Sequence, residues 1–213
     1  MRYKLVIFDF DGTIADTSEG IIDAYEYSLN VLGMEIPSKE ALKGFIGGNL
    51  LGIYENIFGL DAHKAREALQ IYRERYSKVG IYKAHLYPGI IRLMDALQRN
   101  GVRMAVATLK AEKFARIMLE EMGISGYFDC VFGMDEDDTR DKMTLLKMCC
   151  EYCRCESSEC ILVGDSESDY KGAKNYNMDF LGVTYGFGFS KIEEKRFKCV
   201  NDVYEIVDEL AEH

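Results

Sequence analysis

Five short apolar runs constrain this 213-residue chain more than any other feature: residues 5–8, 102–107, 130–132, 161–163 and 180–183. Each is continuous rather than alternating. That is the pattern of strands buried on both faces, and such strands belong to parallel sheets covered by helices. Helical patterns lie between them. Ile90, Ile91, Leu93, Met94 and Leu97 recur at helical spacing before an Asn100-Gly101 stop, and Phe114, Met118, Leu119 and Met122 do so before Gly123. After Val102 the strands return roughly every 20–30 residues, close to the period of a βαβ unit. The expected fold class is α/β, a doubly wound, mainly parallel sheet.

One interval breaks the rhythm. From Phe8 to Val102 there is far more chain than a crossover needs, and most of it reads as helix, so a helical insertion is expected to leave after the first strand. We place this insertion at 15–86 and the sheet unit at 1–14 and 87–213. Its signals are an apolar stripe (Ile21, Ile22, Tyr25, Leu29, Leu32), a break from Gly33 to Pro37, a Gly47-Gly48 turn, and a charged helix from Asp61 towards Lys78. Tyr25, Tyr27, Tyr54, Tyr72, Tyr76 and Tyr82 suit packing within the insertion and against the sheet. Tyr87-Pro88-Gly89 marks the return.

Charge and cysteine content narrow the function classes. Lys and Arg number 26 against 36 Asp and Glu, a formal charge of −10, which disfavours nucleic acid and anionic lipid as partners. No run has the length of a signal peptide or membrane span, so a cytoplasmic protein is expected, as monomer or homodimer. Cys149, Cys150, Cys153, Cys155 and Cys160 crowd together, and Cys150 and Cys153 have a zinc-site spacing. Leu145, Leu146, Cys149, Cys150 and Cys153 also form an apolar helical stripe, and packing is the expected role. His63, His85 and His213 are too scattered for a histidine-based site. Gly186-Phe187-Gly188 lacks dinucleotide-binding spacing and reads as a loop.

The chemistry gathers at strand ends. Asp9-Phe10-Asp11-Gly12-Thr13 follows the first run, where open α/β sheets place ligands. Asp9 and Asp11, two apart in extended chain, face one cavity, and Gly12 permits a tight turn. Val163-Gly164-Asp165-Ser166-Glu167-Ser168-Asp169 ends another run, and parallel strands bring Asp165 to the same rim. Asp169 or Ser168 also suits a helix N-cap. Carboxylates gathered there call for a hard cation with oxygen ligands, hence Mg²⁺. Ala107-Thr108-Leu109-Lys110 is expected to open a helix and cradle an anion with a hydroxyl, N–H groups and an ammonium. Lys142 adds a second cation after a polar loop.

These motifs, with Leu86-Tyr87-Pro88-Gly89 and Val183-Thr184-Tyr185-Gly186, give a sequence that resembles haloacid dehalogenase superfamily phosphatases, and within them the phosphoglycolate phosphatase group, over nearly its whole length. The resemblance implies a Rossmann-like core with a helical cap and Mg²⁺-dependent hydrolysis of a small phosphorylated metabolite through an aspartyl-phosphate. It makes Asp9 the nucleophile and Asp11 the general acid and base. Thr108 would bond the phosphoryl group, and Lys142 would balance charge. Asp9, the Asp11 carbonyl and Asp165 would hold the metal, supported by Asp169. Gly12, Leu109 and Lys110, with Gly47 and Gly48 of the cap loop, would face substrate. Leu109 stands where relatives often carry Asn or Ser, and Met143 where many carry Pro. Rival readings are a sugar-phosphate mutase of the β-phosphoglucomutase kind, a 5'-nucleotidase, a dehalogenase and a non-catalytic phosphate-binding regulatory module. Thr13 after Gly12 disfavours the mutase, whose relatives usually have Val or Ile there.

Overall fold

The computed structural model describes residues 2–136, 138–189 and 196–211. His213 lies outside them. The first strand, β1 (Leu5–Phe8), is followed by β2 (Ala15–Asp16) and four helices: α1 (Ser18–Val31), α2 (Lys39–Lys43), α3 (Leu50–Asn56) and α4 (Ala62–Lys78). Strand β3 (His85–Leu86) then pairs antiparallel with β2, so the segment between them leaves and returns through one two-stranded ribbon. Alternation follows: α5 (Ile90–Arg99), β4 (Arg103–Ala111), α6 (Glu112–Glu121), β5 (Cys130–Met134), α7 (Lys142–Cys153), β6 (Cys160–Gly164), α8 (Glu167–Asn175), β7 (Asp179–Val183), β8 (Cys199–Val200) and α9 (Val203–Ala211).

The main sheet has six strands in the order β5-β4-β1-β6-β7-β8, all pairs parallel. Its winding reverses at β1, which pairs with β4 on one side and β6 on the other. Such a reversal opens a crevice at the strands' carboxyl ends. Residues alternate between faces: Val6, Phe8, Met104 and Val106 enter one apolar cluster, and Leu5, Ile7, Ala105 and Ala107 enter another. The first cluster continues into the insertion through Tyr25, Leu42, Tyr54 and Tyr76. The second takes Cys149, Cys150 and Cys153 from α7 beside Leu145 and Leu146, so these thiols pack as small apolar groups.

Three local readings are corrected. Residues 107–110 do not open a helix: β4 runs on to Ala111 and α6 begins at Glu112. A register shift between Ala107 and Ala111 accommodates the extra length, and Thr108 Oγ1 accepts the Lys110 N–H at 3.1 Å instead of capping a helix. The N-cap of α8 is Ser166, not Ser168 or Asp169; its hydroxyl accepts the Asp169 N–H while the Asp169 carboxylate accepts the Ser166 N–H, a reciprocal box. Strand β8 was not expected, because two residues after a polar stretch carry no periodicity.

No helix among the described residues is long and apolar enough to cross a membrane. Histidines 63 and 85 are exposed. The insertion packs tightly where α1 crosses the turn after α4: a Cβ on Gly20 would lie 2.2 Å from the Gly80 carbonyl oxygen. Gly20→Ala should therefore destabilise the protein by about 1–3 kcal/mol, as overpacking does, read as a lowered urea midpoint with unchanged m-value.

Candidate active site

The rim at the carboxyl end of β1 collects acidic side chains from two strands. Asp9 follows β1 directly, and its N–H donates to the Val163 carbonyl at 2.9 Å, which ties it to β6. Asp165 follows β6 directly, and Asp169 lies in the first turn of α8. One carboxylate oxygen from each of Asp9, Asp165 and Asp169 lies within 4.8 Å of the others, and all three residues are buried. Among the described residues no other group of three or more His, Cys, Asp or Glu converges this closely.

Lys142, the first residue of α7, is the cation inside this cluster. Its Nζ lies 2.7 Å from Asp9 Oδ1, 2.7 Å from Asp169 Oδ1 and 2.8 Å from the Ala107 carbonyl oxygen. Hydrogen bonds to Asp9 and Ala107 use two of its three protons. The contact with Asp169 is an ion pair too poorly aligned to be a hydrogen bond, so Asp169 Oδ1 remains a buried oxygen without a hydrogen-bond donor. Burial works against the ammonium, but attraction from Asp169 and Asp9 outweighs it and raises the Lys142 pKa.

One ammonium does not neutralise three carboxylates. Burial pushes Asp9 up to about 7 against the pull of Lys142, and the charges of Asp169 and Asp11 add to the rise. Asp165 is raised well above the usual carboxylate range, first by burial and then by Asp9 and Asp169, while N–H groups of Phe187 and Gly188 pull it back. The excess negative charge and the converging oxygens fit a hard divalent cation.

Asp11 points elsewhere. Its two oxygens lie 2.8 and 3.1 Å from Lys110 Nζ. That ammonium also lies 4.5 Å from the Tyr76 ring centre, above its face, and 5.8 Å from that of Phe10. Burial opposes the charge on Lys110, yet Asp11 and Tyr76 raise its pKa. The two carboxylates of the Asp9-Phe10-Asp11 segment are thus held by different lysines, Asp9 in the acidic cluster and Asp11 beside a chamber under the insertion.

That chamber holds about 600 Å³ counted out to solvent. Leu109, Gly47 and Gly48 line it, with Tyr25, Tyr72 and Tyr76. The tyrosines therefore do more than pack: Tyr72 and Tyr76 stack with rings 5.8 Å apart and 6° from parallel, and also form a wall. Gly12 lies instead against Asp165: with φ at +83°, a Cβ there would lie 2.2 Å from Asp165 Oδ2. The loop after β7 closes over the same carboxylate, since Phe187 N–H donates to Asp165 Oδ2 at 2.6 Å and a Cβ on Gly186 would lie 2.4 Å from that oxygen. Sequence reasoning missed this role for Gly186-Phe187-Gly188, and missed Arg73 of α4, whose Nη2 bonds Asp138 Oδ1 at 2.7 Å across the chamber mouth. The glycine spacing was visible, but what it encloses depends on a contact across 22 residues.

Comparison with known proteins bears on what such a site does. A family described as haloacid dehalogenase-like hydrolase matches residues 6–183. A 5'-nucleotidase of Pseudomonas aeruginosa is 34% identical, over 88% of this chain and 86% of that one. Tyrosine-protein kinase PtkA of Mycobacterium tuberculosis is 32% identical, over 98% and 72%. A phosphoglycolate phosphatase of Vibrio parahaemolyticus is 30% identical, over 86% and 85%. A solved structure of a predicted phosphatase from Clostridium acetobutylicum superposes with a TM-score of 0.94 at 30% identity, covering all of both chains.

Removing the cation inside the acidic cluster isolates the charge problem. Lys142→Met should cost about 3 kcal/mol or more in metal-free protein, because buried carboxylates lose their partner. Urea unfolding in chelator at pH 8 measures it, and Lys142→Met with Asp9→Asn should recover part of the loss.

Proposed function

The chain belongs to the haloacid dehalogenase-like hydrolase family, and from that we propose that it is a Mg²⁺-dependent phosphatase of a small organic phosphate monoester, phosphoglycolate first among candidates, acting through an aspartyl-phosphate on Asp9. The observation that carries this reading is the divergence of two neighbouring carboxylates, Asp9 held by Lys142 at 2.7 Å and Asp11 held by Lys110 at 2.8 Å beside the chamber. Two-step phosphoryl transfer needs one carboxylate to attack phosphorus and another to manage protons.

In the first step an Asp9 oxygen bonds to phosphorus as the bond to the leaving oxygen breaks, and Asp11 delivers a proton to that oxygen. In the second, Asp11 takes a proton from water as it attacks the phosphorus of the aspartyl-phosphate, releasing inorganic phosphate and restoring Asp9. The carboxylate form, which Lys110 partners at both oxygens, is the one this second step requires. Thr108 Oγ1 already accepts the Lys110 N–H, which leaves its own proton to donate to a phosphoryl oxygen. Lys142 donates to Asp9 and to the Ala107 carbonyl and pairs with Asp169, so it positions Asp9. Asp9, Asp165 and Asp169, with the Asp11 carbonyl, would hold Mg²⁺, which supplies positive charge against the phosphoryl oxygens.

The 15–86 insertion is, on this reading, a cap that excludes water and selects the leaving group. The aromatic walls and the 5'-nucleotidase relative favour a nucleotide as the second reading.

Asp9→Asn should lower phosphate release from phosphoglycolate by about a thousandfold or more at an unchanged melting temperature; retained turnover would exclude Asp9 as nucleophile. A phosphorylated product in place of free phosphate would mean transfer to another acceptor. Mg²⁺ should raise the melting temperature of the wild type and not that of Asp165→Asn, since a cation bound only by folded protein stabilises it. Differential scanning calorimetry with and without chelator separates the two.

A further inference from the structure

The thiols of α7 have no part in the chemistry above, and two of them face a second thiol. Cys150 Sγ lies 3.7 Å from Cys160 Sγ at the start of β6, and Cys153 Sγ lies 4.0 Å from Cys130 Sγ at the start of β5. The Cys150-x-x-Cys153 spacing thus makes no pair within the helix, because each member turns to a different strand. Burial as a small apolar group explains one cysteine at each contact, and any small side chain on the strand would fill the space opposite. It does not explain two thiols that meet.

The two contacts differ in their surroundings. Cys160 is fully enclosed, whereas Cys130 opens β5, the edge strand of the main sheet, and keeps 7% of its surface exposed. The Arg103 guanidinium lies across this corner, donating to the Cys153 carbonyl at 2.6 Å and to Asp129 Oδ1 at 3.1 Å. Both side chains of that ion pair are partly exposed. Hydrogen bonding from the Cys149 thiol lowers the Cys130 pKa, and the Cys153 thiol and Arg103 add to this against burial and Asp129. Burial pushes Cys153 up to about 12. A thiol held low beside a cation and near the surface is the nucleophile of such a pair, and its protonated neighbour resolves it.

We propose that Cys130 and Cys153 are an oxidation site, a dithiol that a hydroperoxide converts into a disulfide joining α7 to β5. The Cys130 thiolate attacks one peroxide oxygen, the O–O bond breaks, and the other oxygen leaves with a proton as water or an alcohol. This puts a sulfenic acid on Cys130. The Cys153 sulfur then bonds to the Cys130 sulfur and displaces its hydroxyl, which leaves as water with the Cys153 proton. Two thiols lose two electrons and two protons, and the peroxide is reduced. The sulfurs have to approach by about 2 Å. The link closes a loop spanning 23 positions and restrains the unfolded chain, so the oxidised protein is the more stable form. The site lies at the amino ends of the strands, away from the acidic rim, and stands whether or not the phosphatase reading does.

The test maps the cysteines of folded wild type after excess hydrogen peroxide, by alkylating free thiols and identifying linked peptides by mass spectrometry. A Cys130–Cys153 link should form, reverse with dithiothreitol, and raise the melting temperature by about 5 °C. In Cys153→Ala the resolving thiol is gone, and dimedone should capture Cys130 as its sulfenic acid. Cys130→Ala should give neither product. If a variant fails to fold, the wild-type map decides alone. Cys130 and Cys153 still free after peroxide would overturn the proposal. So would a link that forms only in urea, a Cys150–Cys160 link in its place, or an oxidised form that melts below the reduced one.

Discussion

Crowded negative charge at one end of a parallel sheet is the constraint on which the rest of the structure depends. Asp9, Asp11, Asp165 and Asp169 are all buried there, faced by two buried ammonium groups, Lys110 and Lys142. In a low-dielectric interior such charges must be paired, and the pairing shapes the backbone around it. Lys142 ties the start of α7 to Asp9 and to the middle of β4 through the Ala107 carbonyl. Lys110 sits on the irregular end of β4, with Asp11 holding its ammonium and Thr108 its N–H. What remains is a surplus of carboxylate around Asp165 and Asp169, which a bound metal ion would offset.

The same arrangement separates two neighbouring carboxylates into two environments. Asp9 lies among acidic groups and draws a raised pKa from burial, whereas Asp11 lies against a lysine whose other side is covered by the Tyr76 ring. Tyr76 belongs to the insertion and Lys110 to the sheet, so helix α4 contributes directly to the surroundings of Asp11. Arg73, three residues earlier on α4, reaches the loop after β5 through Asp138. These contacts place the chamber between the insertion and the rim.

Much of the fold was legible in the chain because burial on two faces leaves continuous apolar runs. The runs at 5–8, 130–132, 161–163 and 180–183 coincide with β1, β5, β6 and β7. The Asn100-Gly101 and Gly123 stops follow α5 and α6 closely. Where local pattern and tertiary contact disagreed, the contact prevailed. Residues 107–110 look like a helix start, yet they stay extended beside β5 around the anchored Lys110. Strand β8 exists because the edge of β7 offers open hydrogen-bonding groups, which two residues elsewhere in the chain can fill without a pattern of their own.

By itself, the sequence determined a parallel sheet, a helical insertion after its first strand, and acidic motifs at strand ends, since each is written in short-range periodicity and spacing. Only the tertiary structure decided which lysine meets which aspartate, that the Gly186-Phe187-Gly188 loop wraps Asp165, and that Tyr25, Tyr72 and Tyr76 of the insertion line the chamber beside Asp11 and Lys110. Those outcomes join residues tens of positions apart. They turn on distances of a few ångströms between side chains, which no local pattern encodes.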